Sequence, residues 1–209
     1  MRDSDNIRQV EKLGVDMIGF IFWPHSSRYV GERPDYLPTE CKRVGVFVDA
    51  TTDDILQHIA DYRLDVIQLH GHETPEFVRS LKNILSTVNY QLSVIKAFNI
   101  AMAEDFEQTN PYEDLVDYFL FDTKGPMVGG NGQKFDWGVL DDYTGSTPFL
   151  LSGGIGPDDA ERLSLLVAQP SSLHPLCFGI DLNSRFETAP GMKDVQSLRN
   201  FLKKLRHNE

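Results

Sequence analysis

Apolar, β-rich runs recur along the chain, with polar-faced segments between them. Seven runs stand out: Asp16 to Phe22, Arg43 to Asp49, Val66 to His70, Ser93 to Phe98, Tyr118 to Thr123, Phe149 to Gly154, and Cys177 to Leu182. Several are nearly continuous in apolar residues rather than alternating, the pattern of strands covered on both faces in a parallel sheet. The intervening segments carry helix signals. Thr74 followed by Pro75 opens a helix whose apolar face is Phe77, Val78, Leu81, Ile84 and Leu85. Thr52 is expected to cap another, with Ile55, Leu56 and Ile59 inward, and Gly156-Pro157 opens a third carrying Ala160 and Leu163. The last helix turns Val195, Leu198, Phe201, Leu202 and Leu205 inward and sets Lys203, Lys204 and Arg206 at the negative end of its dipole. The chain also begins with a helix, capped by Asp3 or Ser4, with Ile7, Val10 and Leu13 on one face and Gly14 ending it. The connections 99–117 and 134–148 carry weaker patterns.

Strand-then-helix repetition across the whole length means βαβ units in a single domain, residues 1–209, with no linker or composition shift. An open doubly wound sheet and an eightfold barrel both accept that order. No Gly-x-Gly-x-x-Gly follows the first strand, which removes the main dinucleotide-binding form of the open sheet. A recurrence of roughly 25 residues per unit suits a compact (β/α)8 TIM barrel. The count of strands is seven, and a seven-strand barrel leaves two parallel edges unpaired. The expectation is therefore a TIM barrel whose first β-strand is missing from this chain, having preceded Met1.

Charge narrows the partners. The 209 residues hold 20 Lys and Arg against 31 Asp and Glu, a net charge of -11. Such a surface repels phosphate backbones and anionic lipid, so neither nucleic acid nor membrane is an expected partner. A phosphorylated ligand must be held locally, by backbone N–H groups or a few placed cations. The two cysteines, Cys41 and Cys177, form no disulfide framework, and no spacing suggests a metal site. No signal peptide opens the chain and no apolar run is long enough to span a membrane, so a reducing cytoplasm is the expected setting.

Barrel enzymes build their sites at the C-terminal ends of the strands. Ser152-Gly153-Gly154-Ile155-Gly156-Pro157 joins a strand to a helix, where glycines let a phosphate approach the backbone and the helix start supplies N–H donors. A tight turn needing positive φ reads the same way. The next unit, Gly179 to Ser184, ends in small polar residues, and loops after the last two strands form the recurrent phosphate site of these barrels. Asn183 and Ser184 thus join Gly153 and Gly154 as the candidate cradle. Asp122 stands directly at a strand end, ahead of the glycine-rich stretch Gly125 to Gly132. A carboxyl in an apolar rim can serve as a general acid, because burial raises carboxyl pKa values; a turn or cap Asp is the alternative. Arg28, in the loop after the first run, can clamp a carboxylate by a bidentate pair or simply be solvated. His70 closes the third run as a ligand contact or a rim residue. Lys96 is either a barrel-interior charge with a partner or a ligand contact, and structure is the favoured reading.

These residues together form a recognisable set. Gly19-Phe20-Ile21-Phe22, Ser27-Arg28-Tyr29-Val30, Val44-Gly45-Val46-Phe47-Val48 and Gln68-Leu69-His70-Gly71 resemble, in order and spacing, the phosphoribosylanthranilate isomerases of tryptophan biosynthesis. So do Asp122, Gly129-Gly130, Phe135-Asp136-Trp137, Ser152-Gly153-Gly154, Asp181 and Gly191-Met192-Lys193-Asp194. The resemblance implies a cofactor-free Amadori rearrangement of N-(5-phosphoribosyl)anthranilate to the carboxyphenylamino-deoxyribulose phosphate. By resemblance, Asp122 is the general acid that opens the furanose ring, Arg28 holds the anthranilate carboxylate, and Gly153, Gly154, Asn183 and Ser184 hold the phosphate. The family's base is a cysteine ending the first strand, followed by glycine, and Met1 aligns just after that pair. Neither Cys41 nor Cys177 replaces it, because both stand at strand starts. Asn131, where Thr is common, and Arg185, where a small residue is common, are lesser departures.

Three readings compete. The first is an isomerase, impaired in this chain by the missing strand. The second is a catalytically silent phosphosugar-binding barrel. The third, a related indole-forming lyase, needs lysine and glutamate at strand ends where this chain has Phe22, Trp23, Asp49 and His70. A monomer or a homodimer joined through the exposed edges is expected.

Overall fold

A computed structural model describes residues 1–88, 90–122, 137–163 and 176–206. Its centre is a seven-stranded parallel sheet whose strands follow chain order: β1 (Met17–Ile21), β2 (Lys42–Phe47), β3 (Val66–Leu69), β4 (Ser93–Asn99), β5 (Tyr118–Asp122), β6 (Phe149–Ser152) and β7 (Cys177–Ile180). Each coincides with one of the seven apolar runs to within two residues at either end, β2 starting one residue early at Lys42 and β4 running one further to Asn99. β1 and β7 are the edges, each with one parallel neighbour. The Met1 amino group donates to the Gly19 carbonyl on the outer edge of β1.

The helices form where the caps predict them. α1 (Ser4–Glu11) is capped by Asp3, whose carboxylate accepts from the Asn6 N–H, and Gly14 follows at φ 71. α2 (Thr52–Tyr62) begins one residue earlier than the sequence pattern gave: Thr51 holds the extended N-cap conformation and accepts from the Asp54 N–H, so Thr52 is the first helical residue. α3 (Pro75–Thr87) has Thr74 as its cap and Pro75 in its first turn, and buries Val78, Leu81 and Leu85. The C-terminal helix, Val195–Arg206, buries Leu198 and Phe201. The weakly patterned connections contain 3-10 turns at Ala103–Tyr112 and Trp137–Asp142 rather than α-helices. An antiparallel hairpin, β8 (Glu187–Ala189) with β9 (Met192–Lys193), lies between β7 and the last helix. No apolar run marks it in the sequence, although Pro190-Gly191 is a turn signal and Gly191 sits at φ 81.

Side chains alternate between the two faces of the sheet. Val44, Val66, Ile95, Ala97, Leu120 and Leu150, with Met17, Val46 and Tyr118, make a small cluster on one face. Phe20, Phe47, Ile67, Leu69, Val94, Phe98, Phe119, Phe121, Phe149 and Leu151 join the larger core under the helices. The first cluster is the barrel interior and the second the layer between sheet and helices. Closure is shown by an ion pair. Strands β1 and β7 would lie about 29 Å apart in a flat sheet at some 4.8 Å per spacing. Yet Arg28, beyond β1, meets Glu187, beyond β7, at 2.6 Å. The sheet therefore curls far enough to bring its two edges to a common opening.

Candidate active site

Strand register sets the mouth. Asn99 pairs with Asp122 and Asp122 with Ser152, so the ends of β4, β5 and β6 stand side by side. Leu120 and Leu150 face the interior, and the two-residue period turns Asp122 and Ser152 to the same side one layer higher. Both are buried, at 9% and 8% exposure. Beyond β7 the Asp181 N–H donates to the Leu151 carbonyl, and its carboxylate accepts from the Ser152 hydroxyl at 3.1 Å. Across the opening, Val66 faces inward, which turns Gln68 inward as well. Its amide nitrogen lies 2.9 Å from His70 Nδ1. Gln68, His70, Asp122, Ser152 and Asp181 thus share one rim, and Asp122, His70 and Ser152 are each engaged with neighbours.

The two candidate phosphate loops meet. Gly153 and Gly154 follow β6 at φ 95 and φ 65, backbone that L-residues with side chains rarely adopt. Above Gly154 the direction a Cβ would take is open, with no atom within 4 Å. A Cβ at Gly156 would lie 3.6 Å from Arg185 Cβ, so the loop after β6 touches the turn Ser184–Phe186 that follows Asn183. Gly156 N–H is taken by Asp159 at 2.9 Å, which caps the helical turn behind the glycines.

Arg28 reaches the same opening from the far side of the gap, but its guanidinium is already engaged. Glu187 accepts from Nε at 2.8 Å and from Nη2 at 2.6 Å. The side chain of Glu187 is only 5% exposed. Burial pushes its carboxyl up, yet Arg28, Lys193 and the Gly191 N–H together outweigh that and hold it below the usual glutamate range. Lys193 lies 3.5 Å from Glu187 and donates to Asn183 Oδ1 at 2.8 Å. Burial lowers the Lys193 pKa despite Glu187 and Asp181.

Other sequence candidates fall elsewhere. Lys96 is not a barrel-interior charge. Ile95 and Ala97 occupy that face, so Lys96 points outward, pairs with Glu73 at 3.2 Å and lies over the Phe98 and Tyr112 rings. Cys41 directly precedes β2 and Cys177 begins β7, both at the opposite end of the barrel from Asp122. Burial pushes their thiols to about 12 and about 11. The stretch Gly125 to Gly132 and Phe135-Asp136 lie outside the described residues. Sequence reasoning named Gln68, Ser152 and Asp181 only within motifs, without the contacts they make, and missed Glu187 altogether. A composition signal for Glu187 does not exist, because its partner Arg28 is 159 residues away.

The family model described as N-(5'phosphoribosyl)anthranilate (PRA) isomerase matches residues 1–204. An N-(5'-phosphoribosyl)anthranilate isomerase of Phocaeicola vulgatus is 47% identical over 206 residues, covering 99% of this chain and 95% of its own. One from Parabacteroides distasonis is 46% identical over 213 residues, covering 99% and 91%. The crystal structure of phosphoribosyl anthranilate isomerase from Thermotoga maritima superposes with a TM-score of 0.77 at 28% identity, covering 99% of this chain and 96% of that one. A phosphoribosyl anthranilate isomerase in complex with reduced 1-(o-carboxyphenylamino)-1-deoxyribulose 5-phosphate superposes with a TM-score of 0.74 at 26% identity, covering 99% of both. With an aspartate at the end of β5, paired glycine and asparagine loops after β6 and β7, and a match over nearly its whole length, the chain belongs to the N-(5'-phosphoribosyl)anthranilate isomerase family.

Proposed function

We propose that this chain performs the family's reaction, the Amadori rearrangement of N-(5-phosphoribosyl)anthranilate in tryptophan biosynthesis, with Asp122 as general acid. The convergence of Asp122, the Gly153-Gly154 loop and Arg28 on one opening supports this reading. An aldose-to-ketose shift of this kind needs a proton at the ring oxygen, a base at C2 and an anchor that orients both. Asp122 donates to the furanose ring oxygen, which opens the ring to a Schiff base. Loss of the C2 proton then gives an enolamine that settles as the ketone, so the product is an isomer and no electrons leave the substrate. The backbone at Gly153, Gly154, Asn183 and Ser184 holds the phosphate, Arg28 presents its guanidinium to the ring carboxylate, and His70 contacts the sugar from the rim. The C2 base belongs at the same mouth. Neither Cys41 nor Cys177 qualifies, since both thiols stand at strand starts and stay protonated at neutral pH.

The two unpaired thiols fit a reducing cytoplasm, and among the described residues no helix is long and apolar enough to cross a membrane. The strongly acidic composition argues against nucleic acid as a partner. The test is to titrate the protein with the reduced product analogue and to assay turnover of N-(5-phosphoribosyl)anthranilate. Asp122→Asn should keep analogue binding while turnover falls by about 10²–10⁴. Near-normal turnover by that variant would remove Asp122 from the mechanism.

A further inference from the structure

We infer that Glu187 and Lys193 are positioning residues that tie the carboxylate end of the substrate site to its phosphate end through one buried chain of charges. The inference rests on the functional reading above and adds Glu187, which the sequence did not point to, and a role for Lys193, which it named only within a motif.

Glu187 and Lys193 face each other across the β8–β9 hairpin as a register pair. Glu187 grips Arg28 through Nε and Nη2, while its other contacts are the Gly191 N–H at 3.1 Å and the Lys193 ammonium. Lys193 continues the chain. It donates to the carbonyls of Leu182 and Asn183, at 3.2 and 3.1 Å, and to the Asn183 side chain. Asn183 stands directly before the Ser184 turn that abuts the Gly156 loop. The Lys193 backbone is clamped in turn by the Asn6 side-chain amide, which donates to its carbonyl at 2.9 Å and accepts from its N–H at 2.8 Å. Arg2 donates to Pro190 at the hairpin turn. The hairpin is therefore anchored from behind, and its two charged side chains run forward to opposite ends of the mouth.

The arrangement has a mechanical consequence. A guanidinium held by two of its nitrogens has its plane and position fixed, which lowers the ordering cost when a second carboxylate binds. Asn183 cannot swing without breaking the two Lys193 hydrogen bonds to its own carbonyl and side chain. The side chains of Glu187 and Lys193 are both buried, so removing Glu187 leaves the Arg28 and Lys193 charges without their shared carboxylate, while removing Lys193 leaves Glu187 paired with Arg28 alone. Arg28 loses its anchor with Glu187, and the Asn183 loop loses its own with Lys193.

The sign of the effect separates positioning from competition. If Glu187 merely occupied Arg28, Glu187→Gln would release the guanidinium and tighten binding of a carboxylate ligand. Positioning predicts the reverse. The probes are the reduced carboxyphenylamino analogue, the matching phenylamino compound without the carboxylate, and inorganic phosphate, each titrated calorimetrically. Wild type, Glu187→Gln, Glu187→Asp, Lys193→Gln and Lys193→Arg are compared below their melting temperatures. Glu187→Gln should weaken the carboxylated analogue by about 10- to 100-fold and the phenylamino compound only a few-fold. Lys193→Gln should weaken inorganic phosphate about tenfold, with Lys193→Arg and Glu187→Asp recovering part of each loss. Tighter binding of the carboxylated analogue, equal losses on both analogues, or unchanged phosphate binding in Lys193→Gln would each overturn the inference. The conservative variants carry the test if the amide variants fail to fold. Wild type failing to bind the carboxylated analogue would instead strike at the functional reading itself.

Discussion

Individual side chains here are governed by what surrounds them rather than by their type. Cys41 and Cys177 have thiols pushed up by burial, so at pH 8 almost none of either is thiolate. The Cys41→Ser and Cys177→Ser variants should therefore turn over substrate within about twofold of wild type, and iodoacetamide should label the folded protein far more slowly than a free thiol of ordinary pKa near 8.5. Rapid inactivation by alkylation would return a cysteine to the mechanism. Glu11 shows the opposite balance: burial raises its pKa, but Tyr36 and the N–H groups of Thr39, Glu40 and Cys41 more than reverse that. Glu113 behaves alike, its burial outweighed by Thr147, Tyr143 and Ser146. A carboxylate satisfied in this way locks a loop, and Glu113 does so for the turn that leads into β6.

Among the elements, the segment between β3 and α3 depends on a charge pair behind the sheet. Glu73 accepts from the N–H groups of Asp49 and Gly71, and Lys96 from β4 donates to the Gly71 carbonyl at 2.8 Å. The side chains of Lys96 and Glu73 are 3% and 2% exposed. Breaking one partner of such a pair, as in Glu73→Gln or Lys96→Met, should cost about 3–5 kcal/mol in urea unfolding, whereas replacing both by apolar residues should cost much less. A single-variant loss below 1 kcal/mol would mean water enters the site. Gly71 is equally constrained, because a Cβ there would sit 2.4 Å from Asp49 Oδ1 and 2.6 Å from the Asp49 backbone nitrogen. Gly71→Ala should destabilise by roughly 1–3 kcal/mol and shift His70 with its loop. An unchanged His70 imidazole resonance in that variant would argue against the coupling.

At the scale of the whole molecule, the ends of the chain close the structure. Arg206 of the last helix donates to the Leu13 and Gly14 carbonyls, Asn6 brackets Lys193, and Arg28 meets Glu187. The pH response follows from the carboxylates in and around these joints. Glu11, Glu113 and Glu187 have folded-state pKa values held below the usual glutamate range. Each thus contributes stability that is complete above the unfolded-state pKa and fades as pH falls through the folded one. Unfolding free energy measured by urea should decline as pH falls below about 4.5, where these carboxylates take up protons. The Glu187→Gln variant should show a shallower decline, and a slope identical to wild type would show that the Arg28–Glu187 pair adds nothing to it.

Much of this was determined by the sequence alone, because strands, helices and caps are local. Continuous apolar runs specify buried parallel strands, Thr74-Pro75 specifies a helix start, and Asp122 and Gly153-Gly154 mark strand ends whatever the rest of the chain does. The facing of Lys96 was not local. Its direction follows from which residues of β4 meet the interior, and that depends on neighbouring strands. The engagement of Arg28 by Glu187 and of Asn183 by Lys193 was beyond any pattern search as well. Those partners become neighbours only when the sheet has curled and its two edges share an opening, so their pairing is a property of closure and not of any segment.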